Sequence, residues 1–531
     1  MTVRGDDAAT VTAETGDRTR RDRVTLAAIT ATATALYTTL SLTKLANFKA
    51  GAYDLVIFDQ AVRSYSQFRL PIAIVKGVHN GFGPDFSTLG DHWSPILALL
   101  APLYWLFDGP ATLLVAQAVL LAAAAVPLWV FTRRALGPGA AHLVAVAYTL
   151  SWPVVETVAF DFHEAAFAPL LTAVLLERHQ AGKRVGVVTA ALALLCVKED
   201  MGLLVAGFGL VLLTQRGWRV LGGAFVAGGA AYTWLASQVL IPLFGGRADY
   251  YWAYGALGPD MRGVAHTVLT DPLAVLAQLG SPPVKLVTLA LLLGITLLAA
   301  PLSPLLIMAV PLLAERMLAS SFPNWWVAGY HYNAFVVVVV FAAGVDGVRR
   351  LRARHAPSGD PVTRAGVLGA AGGNLVARIA ALGDPAKRVW ALGDRVTRVW
   401  ALGVVGFALI SVPFFSLAGL ADLDSYRHDA RERAAAAAVA VVPDGVLVEA
   451  ANNLAPALSG RSRVLLWDRT RRDAPWVVAD VGRKTFPFVN LAEQRERVRL
   501  LAGSGYDVRF SQDGYVVLAA TARTTRTPGP P

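Results

Sequence analysis

The sequence predicts an all-α polytopic membrane protein with a small α/β domain at its carboxyl end. Its 531 residues are 55% hydrophobic and only 16% charged, and the mean hydropathy is +0.50. Soluble domains rarely have this composition, whereas polytopic membrane proteins usually do. Apolar runs alternate with polar connections as far as residue 421, and short β-type runs follow. This change in pattern separates the two predicted parts.

The net charge of +11 lies mainly on arginines in the connections between apolar runs. That distribution favours an anionic membrane surface over nucleic acid, which requires a basic patch on a folded surface. Zinc-finger, helix-turn-helix and aromatic RNA-binding motifs are absent from the sequence, so no nucleic-acid partner is predicted. Cys196 is the only cysteine, which excludes an intrachain disulfide and a cysteine-based metal site.

The first predicted span covers residues 24–46 and follows a polar tail, residues 1–23. The start of the span is flanked by four arginines: Arg18, Arg20, Arg21 and Arg23. Positive residues favour the cytoplasmic side, so we predict an uncleaved signal anchor in the cell membrane with a cytoplasmic amino terminus.

Ten further apolar runs bring the predicted number of transmembrane helices to about eleven. They are 111–132, 139–156, 165–177, 184–197, 201–214, 219–243, 284–300, 303–318, 334–348 and 399–420. The run at 94–107 covers only about 21 Å of the roughly 30 Å hydrocarbon core. If this run were counted as a span, most arginine clusters of the later connections would lie on the extracytoplasmic side, against the preference of positive residues for the cytoplasm. We therefore predict an interfacial or re-entrant helix there, with Ser94 as its N-cap and Pro95 in its first turn.

This topology places the polar connections of the helical domain, residues 24–348, on the outer face. Those connections are 47–93, 157–164, 198–200, 244–283 and 319–333. A basic cytoplasmic linker, 349–398, contains the short duplication RVWALG, and the last span, 399–421, leads to the outside. Any chemistry is therefore expected to be extracytoplasmic, and the membrane lipids are expected partners.

The extracytoplasmic α/β domain is predicted within residues 422–531. Its β-type runs are 445–450, 463–468, 476–481, 506–510 and 515–520, and helix-like pieces lie near 452–459 and 491–502. Residues 512–514 (QDG) supply a turn before the last strand. A glycine-rich phosphate loop is absent from this sequence, so nucleotide binding is not predicted.

Polar and charged residues in the outer connections are the candidates for a site. Charges beside lipid are costly and indicate function by default. The candidate catalytic residues are Asp54 and Asp59, and the candidate substrate-binding residues are Asp91, His92, His163, Lys198, Glu199 and His331.

Several motifs together resemble the bacterial membrane-protein family known as domain of unknown function 2079. They are 53–60 (YDLVIFDQ), 91–95 (DHWSP), 161–164 (DFHE), 198–200 (KED), 331–332 (HY), 442–443 (VP), 452–454 (NNL) and 458–461 (LSGR). The similarity runs from about residue 24 to 522, apart from 349–398, which resembles an insertion. The family has no settled activity.

A fainter similarity connects the chain with C-type (GT-C) glycosyltransferases, which use lipid-phosphate-linked sugars. Those enzymes carry an Asp after the first span and an aromatic residue four positions later, and Asp54 with Phe58 fits that pattern. His92 and Pro95 fit the His/Pro segment that follows. Leu55 stands where a second acidic residue is often found. The resemblance implies a GT-C-like fold, a polyprenyl-phosphate-linked sugar as donor and an extracytoplasmic acceptor.

Such a transfer has a leaving group that is already a stabilised anion, so it needs a base for the acceptor hydroxyl and cations around the phosphate. Asp54 fits the role of base, and Asp59 competes with it, unless one of them only caps a helix. His92 fits a contact to acceptor or phosphate, or a divalent-cation site together with Asp91. In the alternative, Asp91 and Ser94 cap the following helix.

Lys198 fits a contact to a lipid phosphate, and the alternative is an internal pair with Glu199 or Asp200. His331 fits a phosphate or sugar contact, and the alternative is an aromatic belt at the interface. No cofactor is predicted with certainty, and a divalent cation is an option whose further ligands by residue type would be Asp161, His163 and Glu164.

Two other classes of function stay open. Buried acidic residues and the Lys-Glu-Asp turn also fit a transporter or lipid flippase, although the two halves of the chain show no inverted repeat. A non-catalytic scaffold or sensor would use the outer domain as its binding module. The leading hypothesis is an integral membrane glycosyltransferase.

Overall fold

The computed structural model describes residues 6–247, 250–355 and 385–521. It consists mainly of helices and has one β-sheet near the carboxyl end. The α-helices of the helical part are Asp6–Ala46, Ile57–Ser66, Ile74–His79, Ala101–Tyr104, Pro110–Ala123, Ala125–Leu136, Pro138–Leu150, Trp152–Phe160, Phe167–Gln180, Arg184–Leu195, Met201–Leu213, Arg219–Leu235, Ile241–Leu243, Met261–Thr270, Pro272–Leu279, Val284–Gly294, Val310–Leu318, Ala334–His355 and Pro385–Ser411.

Within the described residues, five helices are long and apolar enough to cross a membrane, or six if one bent pair counts as a span. They are Arg18–Ala46, Pro110–Leu136, Pro138–Phe160, Arg216–Leu243 and Gly393–Phe414. The predicted count of about eleven is not confirmed. Three predicted spans correspond to helices of 14, 12 and 13 residues, namely Phe167–Gln180, Arg184–Leu195 and Met201–Leu213. At 1.5 Å per residue, each covers only about 20 Å.

The helix Ala334–His355 lies in the centre of the helical part. Its sequence AFVVVVVFAAGV is apolar on all sides, and each of residues 334–348 is buried. A helix that is hydrophobic all round is expected to be enclosed by other helices rather than to present one face. The helix begins next to His331, so the buried core holds that candidate residue in place.

Helices Met201–Leu213 and Arg219–Leu235 approach each other through small residues. A Cβ added to Gly202 would lie 2.3 Å from the carbonyl oxygen of Gly229, so neither position has room for a side chain. Close backbone packing of this kind is typical of helix pairs in membranes.

Two sequence predictions change at element boundaries. The end of the predicted linker, 385–398, belongs to the helix Pro385–Ser411, while residues 356–384 lie outside the described part of the chain. The run at 94–107 forms a 3₁₀-helix, Pro95–Leu100, and a short α-helix, Ala101–Tyr104. Ser94 is the N-cap residue as predicted, but its side chain makes no capping hydrogen bond.

The C-terminal part contains a five-stranded sheet with the order β2-β1-β3-β5-β4. The strands are β1 Leu447–Ala450, β2 Arg463–Leu466, β3 Trp476–Asp480, β4 Tyr506–Gln512 and β5 Tyr515–Ala520. β1 pairs in parallel with β2 and β3, and β5 pairs antiparallel with β3 and β4. The helices Ala430–Val441, Ala455–Leu458 and Leu491–Ala502 accompany it. The five predicted β-runs are confirmed, as is the turn before β5.

The sheet shares its hydrophobic core with the connection 47–93, which is named the outer loop for its predicted location. Five loop residues belong to the buried cluster around the strands: Ala52, Val56, Ile57, Ala73 and Val75. The Gln60 side chain also donates to the carbonyl oxygen of Val464 in β2 (3.0 Å). The C-terminal domain and the loop that carries Asp54 therefore pack as one unit.

Candidate functional site

A cavity of about 600 Å³ lies where the outer loop, the helical part and the C-terminal domain meet. Its walls come from the loop, from the connections near 163, 198, 250 and 325–332, and from Phe486 of the C-terminal domain. Six of the candidate residues line it: Asp54, Asp91, His92, His163, Lys198 and His331. A smaller cavity of about 180 Å³ shares part of this wall and adds Glu199.

Asp54 lies in a short turn, Ala52–Val56, at the edge of the cavity, and the backbone angles of Tyr53 and Asp54 in this turn are not helical. Its backbone has φ 106° and ψ −72°, a conformation that residues other than glycine rarely adopt. Such backbone outliers cluster at functional sites. The Asp54 side chain is 30% exposed, and its Oδ1 lies 3.5 Å from Nε2 of His163. The carboxylate is therefore accessible from the cavity and has an imidazole beside it.

The rings of His163 and His331 stack with 3.6 Å between their centroids. Burial lowers the pKa of His331 well below its usual value, and the neighbouring His163 and Lys198 lower it further. His331 is therefore neutral at pH 7. Nδ1 of each ring is buried and has no hydrogen-bond partner among the described residues. Buried polar atoms normally have such a partner, so each of these nitrogens could still form one hydrogen bond.

Lys76 is a buried cation in the lining of the same cavity. Its Nζ lies 2.9 Å from Oδ1 of Asp91 and stands over the rings of three tyrosines, Tyr53, Tyr250 and Tyr251, at 5.2–5.5 Å from their centroids. The hydroxyl of Tyr251 donates to the same Asp91 oxygen (2.7 Å). Burial opposes ionisation of Asp91, but Lys76 and His92 outweigh it and lower the pKa of that carboxyl. The pair is ionised at neutral pH.

Glu199 joins His92 to Lys198. Its Oε1 lies 2.9 Å from Nδ1 of His92 and 2.9 Å from Nζ of Lys198, and its Oε2 accepts from the Trp93 N–H (3.1 Å). Burial and Lys198 lower the pKa of His92, yet Glu199 and Asp91 raise it more, so its pKa lies above the usual value. The protonated form of His92 is therefore favoured beside the cavity.

These contacts bear on two of the alternatives that the sequence left open. The predicted capping role of Asp91 and Ser94 is wrong, because Asp91 pairs with Lys76 and the Ser94 side chain makes no cap bond. Lys198 pairs internally with Glu199 and, at 3.3 Å, with Asp200, and it also lines the cavity.

Asp59 has a different environment from Asp54. Its side chain is fully buried, pairs with Arg63 (2.9 Å) and accepts from the Tyr104 hydroxyl (2.8 Å), and it does not line the cavity. These contacts favour a structural role that ties the loop helix Ile57–Ser66 to Ala101–Tyr104. The competing catalytic prediction for Asp59 has no support in this position.

The described part of the chain contains no side chains arranged as a metal site. Across 6–247, 250–355 and 385–521, no group of three or more His, Cys, Asp or Glu side chains is arranged to hold a metal ion. Asp161 instead pairs with Lys44 (2.8 Å), and Glu164 is buried. Burial raises the pKa of Glu164. The divalent cation considered above therefore has no ready-made site among these residues.

Two residues that line the cavity, Lys76 and Phe486, and one that contacts its lining, Asn452, were not among the candidates from the sequence. Lys76 is a single lysine among apolar loop residues, and that isolation is a usable signal. Phe486 and Asn452 come from the C-terminal domain: Phe486 packs on Tyr53 (5.1 Å between centroids), and Asn452 hydrogen-bonds the loop backbone. No local pattern marks Phe486, and the motif 452–454 that contains Asn452 gives no sign of its contact with the loop, because both contacts join distant parts of the chain.

An exposed apolar surface is formed by the segment 94–107, which borders the cavity, together with Phe68. It consists of Phe68, Leu99, Trp105, Leu106 and Phe107, whose side chains are all exposed. Trp105 packs on Phe68 and donates from its indole to the carbonyl oxygen of Ser66 (2.8 Å). Exposed aromatic and aliphatic side chains of this kind are typical of contact with a lipid interface. The segment 94–107 thus has the surface expected of an interfacial helix.

The fold and its site define an integral membrane protein in which a helical part and a C-terminal α/β domain together enclose a polar cavity. The chain belongs to the family described as "Predicted membrane protein (DUF2079)", whose model matches residues 44–517. The family membership predicted from the motifs is thereby confirmed. No curated protein matches the chain.

Solved structures with a similar overall shape include two of ArnT from Cupriavidus metallidurans. For the one bound to undecaprenyl phosphate, the TM-score is 0.47 at 12% identity, covering 94% of this chain and 99% of that one. For the apo state the TM-score is 0.44 at 13% identity, covering 90% and 94%. The archaeal oligosaccharyltransferase AglB from Archaeoglobus fulgidus, in complex with an inhibitory peptide and a dolichol-phosphate, has a TM-score of 0.40 at 12% identity, covering 95% and 75%.

Proposed function

We propose that this protein is an integral membrane glycosyltransferase that moves a sugar from a polyprenyl-phosphate carrier to an extracytoplasmic acceptor. The observation that carries the proposal is the set of residues that line one cavity. An accessible carboxylate, Asp54, faces a volume that is also lined by the basic side chains of Lys76, His92 and Lys198. A base for a hydroxyl and cations for a phosphate are the groups that this transfer requires.

In the proposed reaction the acceptor hydroxyl oxygen forms a bond to C1 of the sugar, and its proton passes to the Asp54 carboxylate. The bond from C1 to the phosphate oxygen breaks, and its electron pair leaves with the polyprenyl phosphate. His92 and Lys198 stabilise the charge on that phosphate. His163, 3.5 Å from Asp54, orients the carboxylate. The apolar segment 94–107 beside the cavity gives the polyprenyl tail a place in the lipid.

Replacing Asp54 with Asn tests the proposal. Loss of a positioned base typically lowers kcat by about 10²- to 10⁴-fold, whereas Asn has nearly the same shape as Asp, so folding and lipid binding should persist. Purified full-length protein in nanodiscs is given undecaprenyl phosphate that carries each of a panel of sugars, together with cell-envelope acceptors. Acceptor-dependent release of undecaprenyl phosphate is then measured by thin-layer chromatography.

The matched control is Asp85→Asn, because Asp85 is an exposed carboxylate in the same loop and outside this cavity. Equal release by wild type and Asp54→Asn would reject the catalytic role of Asp54. Release that is absent in wild type, together with movement of the lipid across sealed vesicles, would identify a flippase instead. Absence of both activities would favour a scaffold or sensor.

A further inference from the structure

The backbone that leads into Asp54 is held from two directions. The Gly51 N–H donates to Oδ2 of Asp161 (2.9 Å), from the helical part. The next two N–H groups, of Ala52 and Tyr53, donate to the backbone oxygen of Asn452 (2.7 Å) and to its Oδ1 (3.0 Å). Three consecutive backbone donors are thus fixed immediately before the turn.

These hydrogen bonds matter because Asp54 has φ 106° and ψ −72°, a backbone conformation that strains a residue with a side chain. A strained conformation persists only where its surroundings over-determine it. Any residue at position 452 would supply the backbone oxygen that Ala52 uses. Only a side chain with an acceptor at the position of Oδ1 can serve Tyr53.

Asn452 is itself firmly placed. It follows β1, a central strand of the sheet, and the preceding residue, Ala451, donates from its N–H to the carbonyl oxygen of Val478 in β3 (2.8 Å). The turn Ala52–Val56 in turn packs into the core of this sheet. The position of the Asn452 side chain is therefore set by the C-terminal domain and not by the loop that it holds.

We propose that Asn452 is a positioning residue, which fixes the strained turn so that the Asp54 carboxylate faces the cavity. The C-terminal domain is then a working part of the site rather than an appended binding module. This inference rests on the proposed function, because it assigns Asn452 a part in the placement of the base. It adds a residue that lies 399 positions from Tyr53 in the sequence.

The test compares Asn452→Ala, which removes the acceptor, with Asn452→Asp, which keeps one. The neighbour Asn453→Ala is the matched control, since the Asn453 side chain reaches Tyr515 (3.4 Å) and not the loop. In the nanodisc transfer assay, misplacement of the base in Asn452→Ala should lower kcat by about tenfold to a hundredfold. KM for the undecaprenyl-phosphate-linked donor should change by less than about twofold, because the cavity wall that holds the phosphate is intact.

Asn452→Asp should retain kcat within about threefold of wild type, and Asn453→Ala should match wild type. A purely structural role would instead lower kcat in step with the amount of folded protein and would leave no rescue by Asp. Wild-type kcat in Asn452→Ala, or an equal loss in Asn453→Ala, would overturn the inference.

A second measurement is independent of activity. Amide hydrogen exchange of the full-length protein is followed by mass spectrometry at the Tyr53 amide and in β1. In Asn452→Ala, protection of the Tyr53 amide should fall by about two- to tenfold while that of β1 is unchanged. Unchanged protection at Tyr53 would overturn the inference. If wild type transfers no sugar, the proposed function fails, and the exchange result alone decides whether Asn452 holds the turn.

Discussion

Replacement of Lys76 by Met would remove the cation of the most enclosed ion pair in the outer loop. The Lys76 side chain is 3% exposed and that of Asp91 is 12% exposed, with 2.9 Å between Nζ and Oδ1. Met keeps most of the apolar stem, so the change isolates the charge. The Asp91 carboxylate would be left buried with the Tyr251 hydroxyl and His92 as its remaining partners.

The expected loss of local stability is large for a single side chain. Removing one partner of a buried pair costs about 3–5 kcal/mol, because the other charge stays desolvated. The lost contacts to three tyrosine rings add about 1 kcal/mol. In contrast, Lys49 has a side chain that is 55% exposed and stands 3.8 Å from Glu432. Lys49→Met should therefore cost less than about 0.5 kcal/mol.

Amide hydrogen exchange of full-length protein in nanodiscs measures the free energy of local opening across 74–92. The decrease in the free energy of local opening that Lys76→Met causes should become smaller as pH falls. In the wild type the pKa of Asp91 is lowered, so its contribution to stability is present above pH 3.8 and is lost as pH falls through the lower folded value. Without Lys76, Asp91 takes up a proton at a higher pH and the unpaired charge disappears.

The double variant Lys76→Met/Asp91→Asn should regain part of the stability that Lys76→Met loses, because neither charge then remains buried alone. Equal losses in Lys76→Met and Lys49→Met, or a loss in Lys76→Met that does not change with pH, would refute the interpretation of the pair as a buried, mutually stabilised contact.

Two further predictions concern buried carboxylates. Burial raises the pKa of Glu449 from 4.5 to about 6, although Arg497 lowers it. The protonated Glu449 side chain therefore contributes stability that is present below pH 4.5 and is lost as pH rises through 6. The size of this effect is about 2 kcal/mol. Glu449→Gln should therefore stabilise β1 by about 2 kcal/mol near pH 8 and by little near pH 4, as measured by hydrogen exchange, and destabilisation at both pH values would contradict this. Asp59→Asn should weaken the contacts to Arg63 and Tyr104 and destabilise the loop helix by about 1–3 kcal/mol, with kcat reduced less than about tenfold. A loss of kcat equal to that of Asp54→Asn would return Asp59 to the candidate bases.

Much of the fold could be predicted from local patterns. The hydropathy of the chain determined its class, because a backbone in lipid must satisfy its own hydrogen bonds and therefore forms apolar helices. The five strands followed from β-type runs, and the last hairpin followed from Asp513 and Gly514, which both have positive φ in the structure. These features depend on residues that are neighbours in the chain, so the sequence is sufficient for them.

The tertiary structure decided which of the candidate residues share a surface. Asp54 and Asp59 are five positions apart, and both are carboxylates after the first span, but packing turns one toward the cavity and buries the other against Arg63 and Tyr104. The number of full spans was likewise undecided by hydropathy, since short apolar helices can be enclosed by other helices instead of crossing the bilayer alone.

The sequence by itself therefore determined the membrane class, the α/β domain and the residue types of the site. Only the packed chain determined that Lys76 pairs with Asp91, that Asp54 stands beside His163, and that Asn452 holds the loop from far along the sequence. The physical reason is that these contacts join segments that are far apart in the sequence. Such segments are brought together by the packing of the helices and of the domain core, which local conformational propensity does not determine.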